Sequence, residues 1–237
     1  MKIVRLIAIS LFLLSPIPAL AKNAPLKVVA TFSILEDITK QIGGEDVIVQ
    51  SLVAPDMDLH AYRPSPKDSK ILSEADMVIE NGLGMEGWIN RLVSASGFHG
   101  VKITASQGIK PIPAEHNHTH EDNEEHAIDP HAWQNVSNVR IYAKNIADAL
   151  ATAMPEKATA IKTRAATYDA ELAKLDTWTK AEIASIPKER RKIITSHDAF
   201  GYFERAYGIE FKSPQGVNME IEPTAKQVAQ LSAFWKT

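Results

Sequence analysis

Eight histidines and no cysteine stand among the 237 residues. A transition-metal site in this chain must therefore use imidazole and carboxylate, because thiolate is absent. Three histidines share a kind of context. His60 lies in Asp58-Leu59-His60-Ala61-Tyr62, His131 in Asp129-Pro130-His131-Ala132-Trp133 and His197 in Thr195-Ser196-His197-Asp198. The first lies in a loop after a β-branched run, the second at a helix start, and the third directly after the run KIIT. Neutral imidazole suits zinc, and three such ligands with one further donor make a tetrahedral set. Taken singly, each histidine can equally be structural. Four more, His116, His118, His120 and His126, are mixed with acids in residues 115–126 (EHNHTHEDNEEH). That segment can be a weak collector of divalent cations or simply a solvated loop. His99, between Phe98 and Gly100, reads as a surface or turn residue.

The elements that must gather these rings follow from hydrophobic patterning. Leu26 to Thr31, Val47 to Val53, Asp76 to Glu80 and Val101 to Thr104 read as strands. Helical spacing separates them from Ile34 to Ile42, from Ser65-Pro66 through Leu72, and from Trp88 to Val93. Strands alternating with helices predict an α/β fold with a parallel sheet covered on both faces. Ligands in such sheets sit outside the carboxyl ends of the strands, where His60 and His197 would lie.

A helix from Val136 to Met154 is closed by Pro155, and a longer one follows. Ile161, Ala165, Tyr168, Leu172 and Leu175 form one stripe on it. At 1.5 Å per residue it spans about 45 Å, longer than a small lobe is wide. The expected organisation is an N-terminal α/β lobe over residues 22–155, a rigid linking helix over 156–186 and a C-terminal lobe over 187–237. The last segment holds Lys192 to Thr195, a helix from Phe200 to Tyr207, a strand near Phe211 and a helix from Pro223. A matching lobe needs roughly 100 residues or more, so this second lobe is expected to be incomplete.

Residues 1–21 carry the parts of a cleavable signal peptide. Lys2 and Arg5 precede the apolar run Leu6 to Leu14, and Ala19-Leu20-Ala21 forms a small-x-small cleavage site. The apolar run is too short to span a bilayer. Export to the periplasm is expected. With no cysteine to acylate at the cleavage site, the expected protein is soluble and not lipid-anchored. A net charge of −3 provides no basic field for nucleic acid or anionic lipid. A monomer is expected.

Three segments resemble the zinc/manganese class of ABC-transporter solute-binding proteins. They are Leu59-His60-Ala61-Tyr62-Arg63-Pro64-Ser65, Asp129-Pro130-His131 with Trp133, and Ser196-His197-Asp198-Ala199-Phe200-Gly201-Tyr202-Phe203. The resemblance runs from Lys22 to Thr237. It implies two α/β lobes joined by a rigid helix, a metal ion in the cleft, and delivery to a membrane permease driven by an ATPase. It makes His60 and His131 the ligands of the first lobe and His197 the first ligand of the second. Manganese-type members typically carry Glu at the place of His197, so imidazole there favours zinc (Zn2+) over manganese (Mn2+). The family's fourth ligand, usually an Asp late in the second lobe, falls beyond Thr237; water or Asp58 are the alternatives. Asp129 and Asp198 either orient imidazoles or cap helices, while Trp133 and Tyr202 read as packing residues.

Other functions remain open at this level: a manganese-binding homologue, a periplasmic zinc buffer or chaperone without a transporter, or a zinc hydrolase. A hydrolase needs a general base beside the metal-bound water, and the sequence has no HExxH motif or equivalent Glu beside these histidines. No enzymatic activity is expected. Deleting residues 116–126 should lower the number of weakly bound zinc ions in calorimetric titration and leave one tight site; loss of the tight site would contradict this reading.

Overall fold

The computed structural model describes residues 24–114 and 128–214, with Ala225, Ala229, Leu231 and Phe234 beyond them. The expected signal peptide (1–21) and the histidine-rich segment with His116, His118, His120 and His126 lie outside the described residues. So does most of the expected helix from Pro223.

The first sheet is built from β1 (Leu26–Phe32), β2 (Val47–Val53), β3 (Met77–Glu80) and β4 (Val101–Thr104). Its strand order is β2-β1-β3-β4, and every pairing is parallel. Burial explains the order. Val28 to Phe32 in β1 and all of β3 are buried, as strands covered on both faces must be. The edge strands β2 and β4 leave Ile48 and Val101 exposed.

The helices between these strands are α1 (Ser33–Gly43), α2 (Pro66–Ser73) and α3 (Ile89–Ser96). Helix α1 buries Leu35, Ile38 and Ile42 at helical spacing. Helix α2 starts at a capping box, in which Asp68 Oδ2 accepts from the Ser65 backbone N–H at 2.6 Å, with Pro66 in the first turn. Helices α4 (Val136–Ala153) and α5 (Ala158–Ser185) pack against each other and against α1. Asn135 caps α4 by accepting from Ser137 N–H at 2.9 Å.

Helix α5 is tied to the first sheet through α1. The Arg164 guanidinium donates to the carbonyls of Ile42 (2.6 Å) and Gly43 (2.8 Å) and to Asp46 (2.9 Å). It thereby satisfies carbonyls that the last turn of α1 leaves without helical partners. Along α5, Ile161 is fully buried and Leu172 nearly so, whereas Leu175 is 44% exposed. The apolar stripe thus leaves the core after Leu172. A second parallel pair follows, β5 (Lys192–Ile194) with β6 (Glu210–Lys212), linked by α6 (Gly201–Tyr207). Stacked Phe200 and Phe211 rings, 4.7 Å apart, pack α6 and its preceding loop on β6.

Two substitutions on α5 test where its stripe becomes structural. Ile161→Ala should cost about 2–5 kcal/mol in urea unfolding. Leu175→Ala should cost well under half as much. Equal losses would place the second position in the core.

Candidate metal centre

The strand order places the site. The chain leaves β1 towards β2 and returns to the other side of β1 to form β3, so the loops after β1 and β3 diverge at one sheet edge. Phe32 at the end of β1, Ser33 at the start of α1 and Met85 in the loop after β3 line a cleft of about 380 Å³ together with His60, His131 and His197. All three predicted histidines therefore meet in one place. One ring nitrogen from each lies within 4.8 Å of the other two, the sole such group of three or more metal-ligating side chains among the described residues. Asp58 does not join that group.

Each ring is delivered by a different element. His60 comes from the loop after β2, and its backbone N–H donates to Asp58 Oδ1 at 2.8 Å. Tyr62, two residues on, packs its ring on Trp88 at 5.1 Å and steadies the loop. His131 precedes α4 and is only 3% exposed. Asp129 Oδ1 accepts from both its backbone N–H (2.9 Å) and its Nδ1 (2.8 Å). A proton on Nδ1 leaves the Nε2 lone pair free to face the cleft, where it lies 3.0 Å from His60 Nε2. A tetrahedral zinc with bonds of 2.0–2.1 Å sets neighbouring nitrogens about 3.3 Å apart, so small ring movements suffice to admit one. His197 follows β5, and its carbonyl accepts from Thr195 Oγ1 at 3.0 Å.

Helix α6, directly after His197, is fastened to the first-sheet side by two tyrosines. Tyr202 Oη accepts from Ile112 N–H (3.2 Å); Tyr207 Oη accepts from Val136 N–H (3.1 Å) and donates to Asp176 (3.0 Å). A Cβ on Gly201 would fall 2.8 Å from Asp129 Oδ2, so any larger residue there would have to displace the carboxylate that holds His131. Sequence reading did not find Gly201, Tyr207 or the fully buried Asn81. For Asn81 the available signal was an amide directly after the short strand Met77–Glu80 and before Gly82. Of the two readings of Asp129, orientation of an imidazole is the one seen, since Asn135 takes the capping position. Asp198 lines a small cavity beside Asp129, Glu204 and Arg205. Trp133 packs on Phe32 and His131, and His99 is exposed in the turn before β4.

Residues 28–237 match the family model described as "ZnuA: Zinc-uptake complex component A periplasmic". The chain belongs to that family. It is 38% identical over 212 residues to the manganese ABC transporter substrate-binding lipoprotein PsaA of Streptococcus pneumoniae, covering 87% of this chain and 67% of that protein. It is 34% identical over 206 residues to the manganese-binding lipoprotein MntA of Halalkalibacterium halodurans, covering 87% and 66%. The periplasmic zinc binding protein TroA from Treponema pallidum superposes with a TM-score of 0.79 at 32% identity, over 89% of this chain and 74% of that one. The parallel sheet flanked by helices and the long helix are therefore those of the family. Its members are metal-binding components of ABC transporters and not enzymes.

One expectation is corrected. PsaA and MntA are named lipoproteins, which overturns the reading of an exported protein without a lipid anchor. The missing cysteine bore on a single attachment chemistry, at residues outside those described, and did not exclude anchoring.

Burial holds His60 down to about 4 from its ordinary 6.5, with His131 and His197 adding like-charge repulsion against the pull of Asp58 and Asp129. Burial, then His131, lowers His197 as well. The unfolded chain therefore binds more protons than the folded one between 6.5 and about 4. Stability of the metal-free protein is full above 6.5 and should fall as pH drops through that window. Thermal unfolding with a chelator checks this, and a flat profile would contradict it. Zinc affinity should weaken over the same window, because ligation requires neutral imidazole.

Proposed function

We propose that this protein captures one zinc ion on His60, His131 and His197 and delivers it to an ABC permease coupled to an ATPase. One observation carries the reading: three ring nitrogens from separate loops lie within 4.8 Å of one another, a spacing suited to a single four-coordinate cation. The fourth donor is water or a carboxylate. In this reading residues 22–155 and 187–237 are lobes on either side of the cleft, and the helix over 156–186 is the strut between them. Family membership supports the transporter role.

Manganese is the second reading, because PsaA and MntA are manganese proteins by name. Donor chemistry favours zinc: carboxylate, carbonyl and water suit manganese, whereas imidazole suits zinc. Zinc also outranks manganese at most nitrogen sites, so a simple competition decides nothing. The informative quantity is how the ratio of affinities changes.

His60→Ala, His131→Ala and His197→Ala should each raise the zinc Kd by more than about 100-fold, beyond the usual effect of losing an outer hydrogen-bond partner. His197→Glu should reduce the preference for zinc over manganese by at least about tenfold, since the carboxylate is the harder donor. Competition with a chromophoric chelator gives the zinc values, and electron paramagnetic resonance of free Mn2+ gives the others. Wild-type affinity in any alanine variant would remove that histidine from the site. A zinc preference unchanged by His197→Glu would leave the manganese reading standing.

A further inference from the structure

The peptide bond that leads into His131 is gripped at both polar atoms. Its N–H donates to Asp129 Oδ1 at 2.9 Å. Its carbonyl, that of Pro130, accepts from Asn81 Nδ2 at 3.0 Å. Asn81 is fully buried at the end of β3, and both ends of its amide are used. Nδ2 also donates to the Gly82 carbonyl at 2.9 Å, and Oδ1 accepts from the hydroxyl of Tyr142 on α4. Two backbone carbonyls on one side and a hydroxyl donor on the other fix which end is nitrogen.

The backbone of Asn81 is held too. Its N–H donates to Glu86 Oε1 at 2.7 Å, and Gly82 N–H donates to Glu86 Oε2 at 3.2 Å. Thr31 Oγ1 on β1 donates to Glu86 Oε1 at 2.5 Å. The loop between them passes through three positive φ values, at Gly82, Leu83 and Gly84. A tight, strained turn is thus locked by one buried carboxylate, and its product is a single amide aimed at the Pro130 carbonyl.

We infer that Asn81, steadied by Tyr142 and Glu86, is a positioning residue for metal capture: it fixes the peptide plane before His131 and so aims that imidazole into the cleft. With the plane held on both edges and Nδ1 on Asp129, little freedom remains to the ring. The network joins β1, β3, α4 and the loop before His131, which makes the site rigid before a metal arrives. The inference rests on reading His131 as a ligand.

The test uses the full chain, zinc as the probe for affinity and Co2+ as the probe for geometry. Asn81→Ala should raise the zinc Kd about 10- to 100-fold, the usual range for a lost partner of a ligand. Tyr142→Phe, a milder change that keeps the ring, should raise it about 2- to 10-fold, as for one neutral hydrogen bond. Both should alter the visible absorption bands of bound Co2+, which a merely destabilised fold would leave in place. Glu80→Gln serves as the control. Glu80, the last residue of β3, is also buried but accepts from Lys102 and Thr104, away from Pro130. It should lower the melting temperature and leave Kd and the Co2+ spectrum unchanged.

Wild-type Kd and spectrum in Tyr142→Phe overturn the inference, even if Asn81→Ala fails to fold. So does an equal rise in Kd for Glu80→Gln, which would mean a general loosening of the sheet edge. If His131→Ala itself binds zinc as the wild type does, the ligand reading has failed and this inference falls with it. If His131→Ala loses binding while both network variants keep it, only the positioning role is wrong.

Discussion

Three imidazole nitrogens held within 4.8 Å of one another can share one cation, but they resist carrying protons together. That constraint organises the centre. Burial disfavours the charged form of His60 and of His197, and the neighbouring imidazoles add repulsion, so both are held below their ordinary range. His131 has a different anchor. Asp129 claims its Nδ1, so the remaining nitrogen is turned towards the other two rings. His60 and His197 stay neutral near neutral pH, the form in which an imidazole can ligate a cation.

The scaffold meets this constraint by gathering loops rather than by bending elements. Reversal of direction in the β2-β1-β3-β4 sheet opens a crevice at its carboxyl edge. The β1–α1 junction and the loops after β2 and β3 reach that edge. The third histidine arrives from the far side of α5, on a segment that shares no sheet with the others. Its placement depends on α6, which Tyr202 and Tyr207 fasten to the loops around Ile112 and Val136. A glycine at position 201 lets that helix approach Asp129, the residue that orients His131. Backbone N–H groups that would otherwise lack partners at an interface are used here to set a distance.

The relatives share this frame while differing in the metal their names carry. PsaA and MntA are manganese proteins by name, and TroA is a zinc protein by name. One architecture therefore serves more than one cation, as expected when selectivity resides in the donors of a cleft and not in the sheet beneath it. Rigid support makes such a change economical. A single donor can be exchanged at a loop tip while the peptide planes around it stay where the buried network holds them.

The order and type of the elements could be read from residues alone, because β-branched runs and helical spacing are local properties; the three rings stood out by context, and the family resemblance made them a set. The helix expected over Ile34 to Ile42 is Ser33–Gly43, and the strand near Phe211 is Glu210–Lys212. The limits of that reading are equally physical. Leu175 continues an apolar stripe but projects beyond the surface that would bury it, which no periodicity reveals. Asp129 had two equally good local roles, and only the position of Asn135 and of the His131 ring decided between them. Asn81, Gly201 and Tyr207 act on partners dozens of residues away, through contacts that exist only once the chain has closed. Sequence by itself thus settled which chemistry was available and on which elements it rode. Tertiary structure decided which nitrogen of His131 faces the cleft and what holds it there, because hydrogen bonds between distant segments leave no periodic trace in either one.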